Sequence, residues 1–335
     1  MKTRILVTGG AGFIGSHLVD RLIAAGERVT VLDDFSTGKR EHLAEAAAGD
    51  LRVIEGSILD EGAVEEALRD CRQVYHLAVQ CVRRSIGRPM ENHHINATGT
   101  LAVLAAAHRA RVDSFLYCSS SEVYGNGRDA LLNERTTVCE PVTVYGGAKL
   151  CGELYAKAYH RTYGMATTVV RPFNAYGPRE HDHGDLAEVL PRFVIRVLND
   201  RPPVIFGDGA NGRDFTYVTE VAGGIAAAGQ CAELVGREVN IAYGRMVTVR
   251  EVAEIVADLA QKPDCRPVYA APRPGDVHTL HADTRLAQEL LGYKAKIDFR
   301  RGVEMYMDWF TRKYPDPSIL LEDDIENWDT AAVRA

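Results

Sequence analysis

A phenol and an ammonium four residues apart, Tyr145 and Lys149 in VYGGAKL, lie in a stretch whose apolar residues recur with helical period at Leu150, Leu154, Ala158 and Tyr159. That spacing stacks the two on one helix face. A neighbouring ammonium favours the phenolate, so the tyrosine's pKa is expected to fall toward neutral pH and the pair to accept a proton from an alcohol. A YxxxK on its own is a common surface pattern. Here Ser120 precedes it in SSSEVYG, at the end of a predicted strand, where its hydroxyl can donate to the same substrate oxygen. The three together describe a site that deprotonates a hydroxyl group.

The N-terminal stretch offers the companion to such a site. An apolar run, Ile5 to Val7, breaks into Gly9, Gly10, Gly12 and Gly15 before Phe13, Ile14, Leu18, Leu22 and Ile23 take up helical period; a second run, Val29 to Leu32, ends in Asp33 and Asp34. This is a βαβ unit whose first turn opens a helix, and a helix N-terminus binds phosphate through unpaired N–H groups and the positive end of its dipole. Gly9 permits the sharp turn, Gly12 the approach of a pyrophosphate, and Gly15 the close lie of helix on strand. Asp33 can accept hydrogen bonds from an adenine ribose and repels a 2′-phosphate, which favours NAD over NADP. Lys39 and Arg40 work against that preference, since they could meet such a phosphate.

The elements needed to position these groups follow in order. Strands are expected at 52–54, 74–78, 115–118 and 167–170, with helices over 61–68, 89–111 and 145–163. Strands alternating with helices predict an α/β fold, a doubly wound parallel sheet with the ligand across the carboxyl ends of its strands. Residues 1–174 read as mainly the dinucleotide-binding lobe. From 175 to 315 the pattern is less regular: a long loop over 176–188, a helix over 190–198, a strand at 204–206, a polar turn GDGANGRDF, a helix from Glu220, a strand near 239–242 and helices from Val249 and Asp283. These form a smaller substrate lobe interleaved with the first. Residues 316–335 are an acidic, proline-broken tail, loose or packed at an edge.

The totals bound the possibilities. With 335 residues, 46% apolar and 25% charged, the chain is long enough for a full core and two lobes. A net charge of −7 with no basic run argues against a nucleic-acid surface, so an anionic ligand must be held by a few placed basic groups. The seven cysteines are odd in number and lack CxxC spacing, which suggests neither a disulfide framework nor a zinc knuckle. No apolar run reaches membrane-spanning length, and the first strand begins too early for a signal peptide. The expectation is a soluble cytoplasmic protein without membrane association.

The chain resembles the extended short-chain dehydrogenases/reductases that modify nucleotide sugars. The resemblance runs through TGGAGFIGSHL, LDDFSTGKREHL, YHLAVQ, NATGT, YCSSSEVYG, VYGGAK, VVRPFNAYGPR, GDGANGRDFTYV and RPGDV. It implies a bound NAD, a UDP-type sugar substrate, a 4-keto intermediate and a homodimer through the helices at 91–111 and 145–163. By position, Ser120, Tyr145 and Lys149 match the family's catalytic triad. Gly9, Gly12, Phe13, Ile14, Gly15, Asp33 and Asp34 match the cofactor cradle, joined by Ile58, Leu77, Ala78 and Asn96. Asn174, Arg213 and Arg273 match positions on the sugar diphosphate, and Asp276 one near the nucleotide ribose; two guanidiniums can grip a pyrophosphate inside an acidic protein. Two departures stand out. Ser57 occupies the strand end where an aspartate usually lies beside the adenine, and Gly146 and Gly147 cost helix stability after the tyrosine, about 1 kcal/mol each.

Glu122, two residues past the triad serine, is the informative oddity. The family's plain 4-epimerases usually lack a carboxylate there, whereas many 4,6-dehydratases and the glucuronate decarboxylases have one, able to remove the proton at C5 that a 4-ketone acidifies. Those dehydratases commonly place a second acid next door, where this chain has Ser121, and DDFSTGKREHL and RPGDV look more like the epimerases. Glu122 could equally be a structural acid bonded to backbone or to Tyr124. The expected activity is an NAD-dependent nucleotide-sugar 4-epimerase, with a 4,6- or 5,6-dehydratase or a UDP-glucuronate decarboxylase as rivals. A catalytically silent NAD or nucleotide-sugar sensor would need the cradle but not Ser120, Tyr145 and Lys149. His181 and His183, with Asp182 and Asp185, have ligand-like chemistry but sit in a predicted loop without a distant ligand pair, so no metal is expected. His93 and His94 are expected to face solvent and a neighbouring helix, and Tyr117 and Cys118 to belong to the strand core.

Overall fold

The computed structural model describes residues 3–126, 131–326 and 328. Its first half runs β1 (Arg4–Thr8), α1 (Phe13–Ala24), β2 (Arg28–Asp33), β3 (Leu51–Glu55), α2 (Glu61–Ala67), β4 (Cys71–His76), α3 (Val82–Gly87), α4 (Pro89–His93), α5 (Thr100–Arg109), β5 (Ser114–Cys118), α6 (Val144–Tyr163) and β6 (Thr167–Pro172). The second half adds β7 (Asn174–Tyr176), α7 (Val189–Leu198), β8 (Val204–Phe206), β9 (Gly212–Tyr217), α8 (Val218–Ala228), β10 (Glu238–Ile241), β11 (Met246–Thr248), α9 (Val249–Leu259), β12 (Val268–Ala270), β13 (Thr279–Leu280), α10 (Arg285–Leu291) and α11 (Phe299–Lys313).

Seven strands form one parallel sheet in the order β10-β6-β5-β4-β1-β2-β3. The chain winds outward from β1 to β3, then resumes on the other side at β4. A crevice therefore opens at the carboxyl ends of β1 and β4, the switch point where doubly wound sheets bind ligands. One face is covered by α1, α8 and α10, whose Leu18, Leu22, Val221, Ile225 and Leu286 pack on Ile5, Val7, Val29 and Val31. Val64 and Ala67 of α2, Val103 and Leu104 of α5 and Ala156 of α6 cover the other. The second half thus supplies an edge strand and two helices to the first half's sheet. A separate core gathers Phe193, Phe215, Val252, Phe299, Tyr306 and Phe310 from α7, β9, α9 and α11 around Tyr176.

Several elements differ from the sequence reading. The single helix expected over 89–111 is α4 and α5 joined by a π-helical turn, His94–Gly99; Asn92 of α4 and Asn96 of the turn point inward. The second half of GDGANGRDF is not a turn but β9, buried at every position. Its polar residues tolerate burial because they are paired: Asp214 accepts from the backbone N–H groups of Tyr243, Gly244 and Ala282. The helix α11, which supplies part of the second core, is unmarked in the sequence reading. His94 is exposed like His93 rather than packed on a helix. Tyr117 and Cys118 are strand core as expected, and all seven cysteines are free thiols. Among the described residues no helix is long and apolar enough to cross a membrane.

Candidate active site

The crevice holds a cavity of about 440 Å³ whose wall includes Gly9, Gly12, Phe13, Ile14, Gly15, Asp33, Asp34, Ser57, Ile58, Leu77 and Ala78 at one end and Ser120, Glu122, Tyr145, Lys149 and Asn174 at the other. Two motifs more than a hundred residues apart in sequence share it.

Local chemistry shapes the first end. Gly9 has φ +68°, and a Cβ there would lie 2.7 Å from the Ala78 nitrogen. A Cβ on Gly15 would lie 2.1 Å from the Gly9 carbonyl oxygen, so only glycine lets α1 start this close to the turn. No side chain caps the start of α1 at Gly12. Phe13, Ile14 and Gly15 of its first turn line the cavity, and their uncapped backbone is the donor set a pyrophosphate needs. Asp33 accepts from the Ala11 N–H at 2.8 Å and the Phe35 N–H at 2.9 Å, which fixes the carboxylate at the end of β2 and leaves lone pairs for a ribose. Burial pushes its pKa up, against those two backbone bonds. Arg40 is not free for a 2′-phosphate: it pairs with Glu55 and stacks over Phe35. Two buried side-chain oxygens at the cavity, Gln80 Oε1 and Asn174 Oδ1, have no protein partner. An uncapped helix start, a glycine cradle, a fixed carboxylate and unpartnered acceptors fit NAD.

The second end is set by α6 and the turn after β5. Thr143 caps α6, accepting from the Gly146 N–H at 3.0 Å, which places Tyr145 in the first turn and Lys149 one turn later. The helix lies tight on the sheet, because a Cβ on Gly152 would meet the Tyr117 ring at 2.3 Å. Gly146 is likewise required, since a Cβ there would lie 2.7 Å from the Glu122 carbonyl oxygen; Gly147 faces open space. Close approach of the serine turn explains the first glycine, and nothing in the structure explains the second.

Ser120 lies beside Tyr145 on the cavity wall and accepts from the Glu122 N–H at 3.2 Å. Lys149 does not behave as its spacing suggests. Its ammonium donates to the Cys118 carbonyl at 2.6 Å, and burial lowers its pKa to about 8. In place of the expected fall, burial raises Tyr145 above the ordinary phenol range. Glu122 is also raised by burial, with Arg213 and Arg273 opposing. It does not bond Tyr124, whose hydroxyl donates to Asn240 Oδ1 at 2.9 Å.

Other sequence candidates lie outside the cavity wall. Asn96 is buried and exchanges hydrogen bonds of 2.8 and 2.9 Å with the Gln80 backbone, so it holds the 79–81 segment that does line the cavity. Asp276 draws Arg213 and Arg273 together, accepting from them at 3.0 and 2.6 Å beside Asn211 at 2.6 Å. The histidine loop gathers no metal set among the described residues: His183 bonds Asp182 at 2.6 Å, and the Asp185 side chain lies outside the described residues. His181, Leu186 and Glu188 from that loop do line the cavity, as do Cys81 and Arg84 of the α3 region. Glu188 grips Arg83 at 2.8 and 2.9 Å across the two halves. The sequence reading weighed His181 only as a metal ligand or a loop residue and passed over the others, because an irregular loop and a one-turn helix carry no periodicity. Their only signal was proximity to the YHLAVQ and RPFNAYGPR stretches.

Glycine turn, parallel sheet and crevice define a dinucleotide-binding Rossmann protein with a second hydrophobic core beside the sheet. The model for the NAD dependent epimerase/dehydratase family matches residues 5–242, and the chain belongs to that family, which is enzymatic and uses NAD. It is 34% identical to the UDP-glucose 4-epimerase of Mycolicibacterium smegmatis over 92% of this chain and 99% of that one. Among solved structures, the UDP-glucose 4-epimerase of Thermotoga maritima with UDP-glucose is 34% identical with a TM-score of 0.87, covering 92% of this chain and 99% of that chain. The dTDP-glucose 4,6-dehydratase of Streptomyces venezuelae with NAD is 32% identical with a TM-score of 0.88, covering 93% and 98%. Epimerases and dehydratases alike are its relatives.

Proposed function

We propose that the protein is a nucleotide-sugar 4-epimerase acting on a UDP-hexose or UDP-uronic acid. The observation that carries the reading is the single cavity shared by Gly9–Gly15, Asp33, Ser120, Tyr145 and Lys149. NAD would rest on the amides opening α1, with its ribose on Asp33, and supplies a reversible hydride acceptor. Tyr145 takes the proton of the C4 hydroxyl, Ser120 steadies the forming carbonyl oxygen, and Lys149 compensates the phenolate. Arg213 and Arg273 hold the diphosphate while the 4-keto sugar turns to present its other face. Return of the proton from Tyr145 completes an isomerisation with no net redox change.

Glu122 supports a second reading. A half-buried carboxylate of raised pKa in the same cavity has the properties of a C5 base, as a 4,6- or 5,6-dehydratase or a decarboxylase requires. Exposed Met90, Leu101, Leu154 and Tyr163 on α4, α5 and α6 support a homodimer through these helices. The test of the reaction is a panel of UDP-, dTDP- and GDP-sugars followed by NMR in deuterated buffer. A C4 epimer without solvent label is expected; a dehydrated or decarboxylated product would reject the epimerase.

A further inference from the structure

Tyr145, Lys149 and Glu153 stand at four-residue intervals on one face of α6, and the third member is a fully buried carboxylate absent from the cavity wall. Both its oxygens are filled. Oε1 accepts from Ser119 Oγ at 2.6 Å and Arg171 Nε at 2.9 Å, and Oε2 accepts from an Arg171 terminal nitrogen at 2.6 Å. The Arg171 guanidinium, on β6, is 2% exposed and donates onward to the Tyr124 hydroxyl at 2.9 Å.

The position of Ser119 gives this pair its consequence. The Ser119 N–H donates to the Val170 carbonyl at 2.7 Å, and it belongs to the same planar peptide as the Cys118 carbonyl that receives the Lys149 ammonium. Ser119 is thus held at its amide by β6 and at its hydroxyl by Glu153. Between them these bonds set the plane of that peptide and the direction of its oxygen. The next residue is Ser120, which lines the cavity with Tyr145, and Glu122 lies two further on.

We infer that Glu153, clamped by Arg171, is a positioning residue that aims the Cys118 carbonyl at Lys149 through its bond to Ser119, and with it sets the serine turn that carries Ser120. A buried ion pair is weak evidence of stabilisation in itself. This one also fixes the backbone oxygen that partners the active-site ammonium. The role rests on the reading of Tyr145 and Lys149 as the acid–base pair.

The test compares Ser119→Ala and Glu153→Gln with Thr167→Ala, a control that removes another buried hydroxyl bonded to α6, at the Ala156 carbonyl at 2.8 Å, without touching the serine turn. Titration of the Lys149 ammonium is followed by NMR on lysine-labelled full-length protein, its signal assigned by loss in Lys149→Met. Loosening the carbonyl removes support from the charged form, so in Ser119→Ala the midpoint moves to lower pH by roughly half a pH unit. With an active sugar nucleotide, kcat falls about tenfold while KM stays within about twofold. Thr167→Ala leaves both unchanged. Should Glu153→Gln not fold, Ser119→Ala decides alone. An unmoved Lys149 midpoint in Ser119→Ala, or an equal shift in Thr167→Ala, overturns the inference. The titration uses no substrate, so failure to turn over any nucleotide sugar would sink the reaction reading and leave this one standing.

Discussion

The Lys149 ammonium donates to the carbonyl oxygen of Cys118 at 2.6 Å, inside a site where the lysine is 3% exposed. One hydrogen bond to a neutral oxygen does not replace the lost hydration, and burial brings the lysine's pKa from 10.5 to about 8. Because the folded value lies below the unfolded one, the unfolded chain binds more protons between these pH values, and this residue's contribution to stability rises with pH across that window. Wild type should therefore gain about 3 kcal/mol relative to Lys149→Met between pH 7 and pH 10.5. Paired denaturant titrations of the two proteins check it; a constant difference would contradict the buried-ammonium picture.

Tyr145→Phe removes the proton acceptor and leaves the glycine cradle intact. Turnover should fall by about 10²- to 10⁴-fold, while the NAD dissociation constant, read by calorimetry, changes by less than about threefold.

Much of this arrangement was legible in the sequence because it is periodic or sterically forced. The glycines at 9, 12 and 15, the aspartate closing β2 and the Tyr145–Lys149 spacing each follow from local geometry, and each lines the cavity. What escaped is made by tertiary partners. Arg213 and Asp214 read as a polar turn yet lie in a buried strand, because Asp276 and three backbone amides satisfy them. Glu153 looked like any polar helix residue until Arg171 arrived from β6. Spacing gives Tyr145 and Lys149 a shared face, but burial, which spacing does not show, moves both their pKa values.

Glu122 separates the two reaction readings. Under epimerisation, Glu122→Gln keeps initial rates within about threefold of wild type; were it the C5 base, the loss would be at least about a hundredfold. Rates on whichever sugar nucleotide is active decide between them.

The two glycines after Tyr145 should behave oppositely. Gly147 faces open space, so Gly147→Ala gains helix propensity and stabilises by roughly 0.5–1 kcal/mol. Gly146 lies under the Glu122 carbonyl, and Gly146→Ala should destabilise by about 1–3 kcal/mol as the serine turn is pushed away. Chemical denaturation of both variants checks the pair of signs.

The most direct measurement follows a deuterium placed at C4 of a UDP-hexose substrate in ordinary water. Hydride transfer away from and back to one carbon predicts an epimer that keeps its deuterium at C4 and carries none at C6. Deuterium lost to solvent or found at C6, or sugar returned with its C4 configuration unchanged, would contradict the account.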